Sequence, residues 1–458
     1  MVFHASALQP RNALNRADIW YAIKWFPLML VSFVCLYLIW AWADRAENDE
    51  KSSSLSWVMA EAAEKANNLS HTWTLAAITI LIIVSTHKGH YLLVLGLGSM
   101  AFYFRNEPAF ALYFLTVCGV LYPVLHCGQR WSRSAFWSIL ITATLILPKG
   151  LYYFGYHRPE IWNWINDIGL TGLLLRYAYY DYEVRKGLIQ KSGFFEHLSY
   201  LAFIPQITAT INFSPSEQWK NHGDYPRVYQ RGWQLLGIAL GKIIGFKLLS
   251  FVQIDIWSPD ASILSIWAGA ILYYLKWYLW LSAHYDLIIA LCRFLGADLA
   301  PNFNCPLLAP SFIEQWRRWN IYNRKLLLKF FYFPLGGNTH HPVRNVCIVF
   351  ASSVILLHSG WFATKWPTVD GSYLLAWLLF AGLQAIAVCV NMRQSKDYRL
   401  DGHQWPHGWA YLRGFLVTQF TIVWMHLLIM GTGAMPGDTN VPLFDRITTM
   451  GRALGLPV

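Results

Sequence analysis

The chain has 458 residues, 55% of them apolar and 13% charged, with a net charge of +11. An ordinary soluble domain carries about 25% charged residues, and here apolar runs of bilayer-crossing length recur from end to end. That excludes a soluble enzyme with one anchor, and the positive charge reads as basic loops facing anionic lipid, not as a nucleic-acid surface.

Taken in order, residues 1–18 are polar, and 20–43 is a first span, too long for a signal h-region and expected to be retained. Residues 44–71 are a polar, acidic loop with a short amphipathic helix. Apolar stretches follow at 73–86, 91–104 and 110–125, the first two short for a full crossing. After the basic loop 126–133 come spans at 135–153 and 161–180, the latter carrying Asp167 and Arg176. Beyond the charged loop 181–191, the stretch 198–213 holds Pro205, Gln206 and a polar run that packs better on protein than on lipid.

A polar connection at 214–231 leads to helices over 232–252 and 263–295, the second long enough to need a bend. Residues 301–338 are too polar for lipid and too poor in loop residues for open solvent. They read as a central re-entrant or interfacial segment. Spans at 343–362, 372–390 and 412–431 complete an all-α polytopic membrane protein of nine to eleven crossings, one domain over 1–458. Lys and Arg in the short loops place 317–344 and 393–413 on the cytoplasmic face. The seven cysteines have no CxxC spacing and read as small core residues, with no metal site.

The chemistry concentrates in 311–338, SFIEQWRRWNIYNRKLLLKFFYFPLGGN. Pro334 and the Gly336-Gly337 pair close it as a turn. A single helix over 312–325 would put Arg317, Asn320 and Arg324 on one face, with Glu314 able to pair with Arg317 or Arg318. Guanidinium groups grip phosphate oxygens bidentately, so such a face suits a phosphate-bearing cytosolic ligand. Snorkelling to anionic lipid is the structural alternative, but it does not account for the central amide. About twenty residues on, His358 sits in the apolar run VCIVFASSVILLHSGWF. In a helix over 346–366 it lies about 18 Å from the start. An intramembrane ionisable residue is a functional hypothesis by default, and an imidazole suits acceptance of a hydroxyl proton near neutral pH. The alternative is a histidine that only ties helices together. Asp286 and Arg293 lie seven apart on one helix face and read as a structural charge network, and Asn302-Phe303-Asn304 as a polar turn.

Asp286 through Arg293, Asn302-Phe303-Asn304, Trp316-Arg317-Arg318-Trp319, Leu335-Gly336-Gly337-Asn338 and the later His358 together resemble the signature of the membrane-bound O-acyltransferases. The bacterial branch that includes alginate O-acetyltransferase and the D-alanine transferase of teichoic acid is the most similar. The resemblance is dense over 279–361, within a signature region of 279–366. Two residues depart from it. Asn320 stands where that branch reads RRWH, as in members acting on sterols and glycerides, and Leu357 precedes His358 where the family has tryptophan. Residues 203–213 resemble a degenerate PQ…AGP segment.

The resemblance implies transfer of an acyl group, acetyl first, from a cytosolic thioester such as acyl-CoA to a hydroxyl of an exported or cell-envelope glycan. His358 would be the general base, and Asn320 would orient the donor or stabilise the oxyanion. Arg317, Arg318, Arg324 and Trp316 would hold coenzyme A. It further implies the inner (plasma) membrane, a tunnel joining its two faces, and room for envelope partner proteins. The same fold acylating a lipid is the competing reading, and a non-catalytic transporter or envelope scaffold is the competitor from another class.

Overall fold

A computed structural model describes residues 96–101, 104, 108–126, 136–140, 170–203, 213–219, 225–294, 296–365, 372–395, 408–430, 432 and 441–456; the side chains of 108–110, 170–171, 219, 225–226, 355–365 and 372 are outside that description. The expected spans at 20–43 and 73–86, the loop 44–71 and residues 204–212 lie outside the described residues. Every element described below is helical: α1 Pro108–His126, α2 Leu170–Arg185, α3 Phe194–Leu201, α4 Pro215–Trp219, α5 Tyr225–Ser250 and α6 Ile263–Phe294. They continue with α7 Phe312–Arg318, α8 Ile321–Leu327, α9 Pro342–Lys365, α10 Ser372–Ser395, α11 Trp409–His426 and α12 Leu443–Ala453. Among the described residues two helices are long and apolar enough to cross a membrane, Arg227–Ser250 and Tyr373–Gln394.

The chain forms two compact units, Met1–Gly237 with Leu287–Ala300, and Ile238–Asp286 with Pro301–Val458. In the first, Arg176 is fully buried and pins α2 to α3 by donating to the Leu201 carbonyl, while its Nε donates to Gly172 O at 3.2 Å. Buried cations persist only where such acceptors surround them. Helix α4 opens on a reciprocal capping box. Glu217 N–H donates to Ser214 Oγ at 3.4 Å and Ser214 N–H to Glu217 Oε2 at 3.1 Å. Arg293 donates to Leu299 O at 2.7 Å and Arg231 O at 2.8 Å.

In the second unit Asp286 pairs with Lys242 at 2.5 Å. Asp286 and Arg293 therefore each serve a charge cluster of their own. The helix expected over 263–295 runs as one 32-residue element, Ile263–Phe294. Helix α9 begins at Pro342, a residue preorganised for the first helical turn, four positions before the expected start. This places His358 about 24 Å along a helix of about 36 Å.

The expected helix over 312–325 is not continuous. Helix α7 ends at Arg318 and α8 begins at Ile321, with Asn320 between them at φ 44°, ψ 60°. Asparagine is one of the few residues other than glycine that visits this left-handed region readily. The Ile321 N–H, which a helix would have spent on the preceding turn, donates to Asn302 O at 2.9 Å. Beyond α8 the backbone loosens into a π-turn over Leu328–Tyr332, and Gly336 and Gly337 take φ of 101° and 56° to close the segment. That turn is where the sequence puts it.

Candidate active site

The break at Asn320 is held from the other strand of a short pairing. Asn304 N–H donates to Arg318 O at 3.0 Å and Ile321 N–H to Asn302 O at 2.9 Å. Tyr322 N–H donates to Asn302 Oδ1, and Asn302 Nδ2 to Asn320 Oδ1, both at 3.0 Å. Asn302 is fully buried and Asn320 half-buried. The expected polar turn at 302–304, bent at Asn302, competes with the helix for its backbone donors.

Glu314 lies one helical turn before Arg317 and Arg318. Its carboxylate is buried and takes Arg317 Nη1 at 2.6 Å and Arg318 Nε at 3.4 Å. The spacing of three and four residues makes this the expected local pair. Arg318 also donates to Cys305 O at 3.2 Å. Two guanidinium groups sharing one carboxylate leave a net single positive charge at this end of α7. Ser311 caps the same helix, its Oγ accepting from Glu314 N–H at 3.2 Å. Arg324, carried by α8, lies over the Trp316 ring at 5.7 Å, a cation–π geometry. Because of the break, Arg317, Asn320 and Arg324 do not share one helix face. The fold nevertheless gathers Trp316, Arg317, Arg318 and Arg324 on two consecutive short helices, with Asn320 at the break between them.

No protein-family model matches the chain. Relatives do. A protein named "Probable alginate O-acetylase" from Azotobacter vinelandii is 31% identical over 111 residues, 24% of this chain and 22% of its own. Its namesake from Pseudomonas aeruginosa is 38% identical over 83 residues, 18% of this chain and 16% of that one. The one from Pseudomonas putida is 35% identical over 83 residues, 18% and 17% of the two chains.

The chain resembles the alginate O-acetylases.

It matches less than a quarter of their length. Alginate O-acetylases belong to the bacterial branch of the membrane-bound O-acyltransferases that the sequence resembles.

His358 lies on α9, the helix that follows the Gly336-Gly337 turn; its side chain is outside the described residues. Asn345 ties the start of α9 to that turn. Its buried Nδ2 lies 2.7 Å from His340 O, 2.9 Å from Gly337 O and 3.2 Å from Leu335 O.

Several residues of the second unit escaped sequence reasoning. Gln315 Nε2 donates to the Tyr274 hydroxyl at 2.9 Å. Gln419 Nε2 reaches Ala309 O at 3.1 Å and Gln315 Oε1 at 3.4 Å. Tyr274 lies in near-parallel orientation to Trp319, ring centres 6.3 Å apart. His426 is buried against Tyr274 and Phe380, its Nδ1 2.7 Å from Ile422 O. Polar side chains inside the apolar helices 263–295 and 412–431 were the available signal. Trp319, Phe303, Tyr278 and Tyr285 continue the aromatic packing behind the break.

The core reading of the cysteines holds for Cys118 and Cys292, which are buried, and fails for Cys305 and Cys347, which are exposed. Cys35 and Cys127 lie outside the described residues. Among the described residues no group of three His, Cys, Asp or Glu side chains is gathered as metal ligands.

Proposed function

We propose that this protein is a polytopic membrane O-acyltransferase that moves an acetyl group from acetyl-CoA to a hydroxyl of an exported or cell-envelope polysaccharide. The observation that carries the reading is the 31–38% identity to alginate O-acetylases. The site supports it. Trp316 and the arginines 317, 318 and 324 form a cationic, aromatic edge suited to a nucleotide phosphate. Asn320 offers a hydrogen-bond donor beside it.

In this mechanism the His358 imidazole takes the proton of the acceptor hydroxyl as its oxygen attacks the thioester carbonyl. General-base help of this kind contributes about 10²–10⁴-fold. The C–O bond forms, negative charge moves to the carbonyl oxygen, and the Asn320 amide donates to it. Collapse of the intermediate breaks the C–S bond. The imidazolium returns its proton to the departing thiolate, leaving an acetate ester and free coenzyme A. Acceptor and donor enter from opposite membrane faces through the helical bundle, and envelope partner proteins take part in presenting the glycan.

The test is thiol release from acetyl-CoA by the full chain in detergent, together with the O-acetyl content of envelope polysaccharide in producing cells. Wild-type protein should support both and His358→Ala neither, with folding retained. Equal turnover in both proteins removes His358 from the mechanism. Acetylation recovered in the lipid fraction instead of the glycan fraction favours a lipid acceptor, the alternative that Asn320 raises. Flux without thioester cleavage favours the transporter or scaffold.

A further inference from the structure

The hydrogen bonds around Asn302 have a direction. The Tyr322 N–H can only donate, so the atom of Asn302 that meets it at 3.0 Å is the oxygen. The NH₂ of Asn302 is then the end that lies 3.0 Å from Asn320, and because it too can only donate, the end of Asn320 that meets it is Oδ1. The Nδ2 of Asn320 is left on the far side of its amide. Turning the Asn302 amide over would set its NH₂ against the Tyr322 N–H, two donors face to face. The residue is fully buried, and its backbone is fixed by Ile321 N–H on its carbonyl at 2.9 Å and by the next pairing, Asn304 N–H to Arg318 O at 3.0 Å.

We propose that Asn302 is a positioning residue that sets the polarity of the Asn320 amide, so that NH₂ rather than carbonyl oxygen is presented to the reacting thioester. This deepens the function proposed above and rests on Asn320 donating to the oxyanion. The two ends of an amide are nearly equal in size, so shape alone does not choose between them. If the amide turned over, a carbonyl oxygen would meet the developing oxyanion, and a stabilising contact would become a repulsive one. One buried side chain, eighteen residues away in sequence, therefore decides the sign of the interaction at the site.

The experiment uses the full chain in detergent with acetyl-CoA as the probe, and reads kcat and KM for thiol release beside the thermal midpoint. Asn302→Asp is isosteric and still accepts from Tyr322 N–H, but it cannot donate to Asn320, whose amide then turns its NH₂ inward. The expected result is a kcat reduced about 10²-fold, the scale of losing one oxyanion donor, with KM within about two-fold of the parent. Asn320→Gly, which suits the left-handed backbone, should lose the same amount. Adding Asn302→Asp to Asn320→Gly should cost nothing further, because there is no amide left to orient. A purely structural Asn302 would lower the thermal midpoint and leave kcat per folded molecule unchanged.

Parental kcat in Asn302→Asp alongside a damaged Asn320→Gly overturns the positioning role and leaves the proposed function standing. Parental kcat in Asn320→Gly removes the role of Asn320, and this inference with it. If Asn302→Asp does not fold, Asn302→Ser, whose hydroxyl serves one partner at a time, is read in its place. At least a ten-fold loss of kcat per folded molecule supports the assignment, and parental kcat overturns it.

Discussion

Gln315 donates to the Tyr274 hydroxyl across 2.9 Å, and both residues are buried, so the helix carrying Arg317 and Arg318 is tied to α6 by a bond with no solvent to replace it. Removing one partner leaves the other unsatisfied, which costs about 1–3 kcal/mol. The thermal midpoint of Gln315→Leu combined with Tyr274→Phe should therefore fall by less than the sum of the two single losses, because each single substitution already removes the same bond. A double-mutant cycle on thermal midpoints checks this, and strict additivity would show that the bond contributes nothing.

The arginines of the site divide by their partners. Arg317 and Arg318 share the buried Glu314 carboxylate, whereas Arg324 lies over the Trp316 ring. Glu314→Ala leaves two half-buried guanidinium groups without their carboxylate and should cost about 1.5–3 kcal/mol of stability, the range for hydrogen bonds to charged groups. Arg324→Gln should instead keep the thermal midpoint near the parent and raise the KM for acetyl-CoA several-fold. Thermal melts beside a donor titration separate the two outcomes, and an unchanged KM in Arg324→Gln would remove that residue from donor binding.

At Gly336 the backbone takes φ 101°, and a Cβ there would stand 2.6 Å from His340 Cβ. Gly336→Ala should destabilise the protein by about 1–3 kcal/mol, the cost of a strained backbone position. Adding His340→Gly should recover part of that loss, because it removes the contact and leaves the φ penalty. Parental stability in Gly336→Ala, measured by thermal aggregation, would mean that the turn rearranges freely.

Two histidines, His358 on α9 and His426 on α11, are expected to behave differently. His426 is buried and its Nδ1 is 2.7 Å from Ile422 O, a carbonyl of its own helix. Packing against Tyr274 and Phe380 makes it a structural element of α11. His426→Leu should retain kcat per folded molecule and change mainly the thermal midpoint, while His358→Ala should abolish turnover. Loss of turnover in a well-folded His426→Leu would bring this second imidazole into the chemistry.

What could be read from the chain follows the range of the interactions. The all-α class is legible from composition and apolar run length. The pairing of Glu314 with Arg317 and Arg318 follows from spacings of three and four residues. The turn at Gly336-Gly337 follows from two residues that tolerate positive φ. Helix α12 escaped notice because its apolar side is short. It is held instead by arginines, the buried Arg446 donating to Leu428 O at 2.9 Å and Arg452 to Ser258 O at 2.8 Å. Nothing in the spacing around those arginines names carbonyl acceptors so distant in sequence.

The sequence by itself determined that the proposed donor-binding residues and Asn320 would be near one another, since Trp316 through Arg324 span nine consecutive positions. It also determined the local ion pairs, because neighbours on a helix surface meet whatever the rest of the chain does. Only the tertiary structure decided that the helix would break at Asn320. Helical propensity through that stretch differs by tenths of a kcal/mol per residue, and the buried acceptors of Asn302, a residue distant in sequence that takes the Ile321 and Tyr322 N–H groups, outweigh it. Those non-local hydrogen bonds turned the expected single cationic face into two short helices with an oriented amide between them.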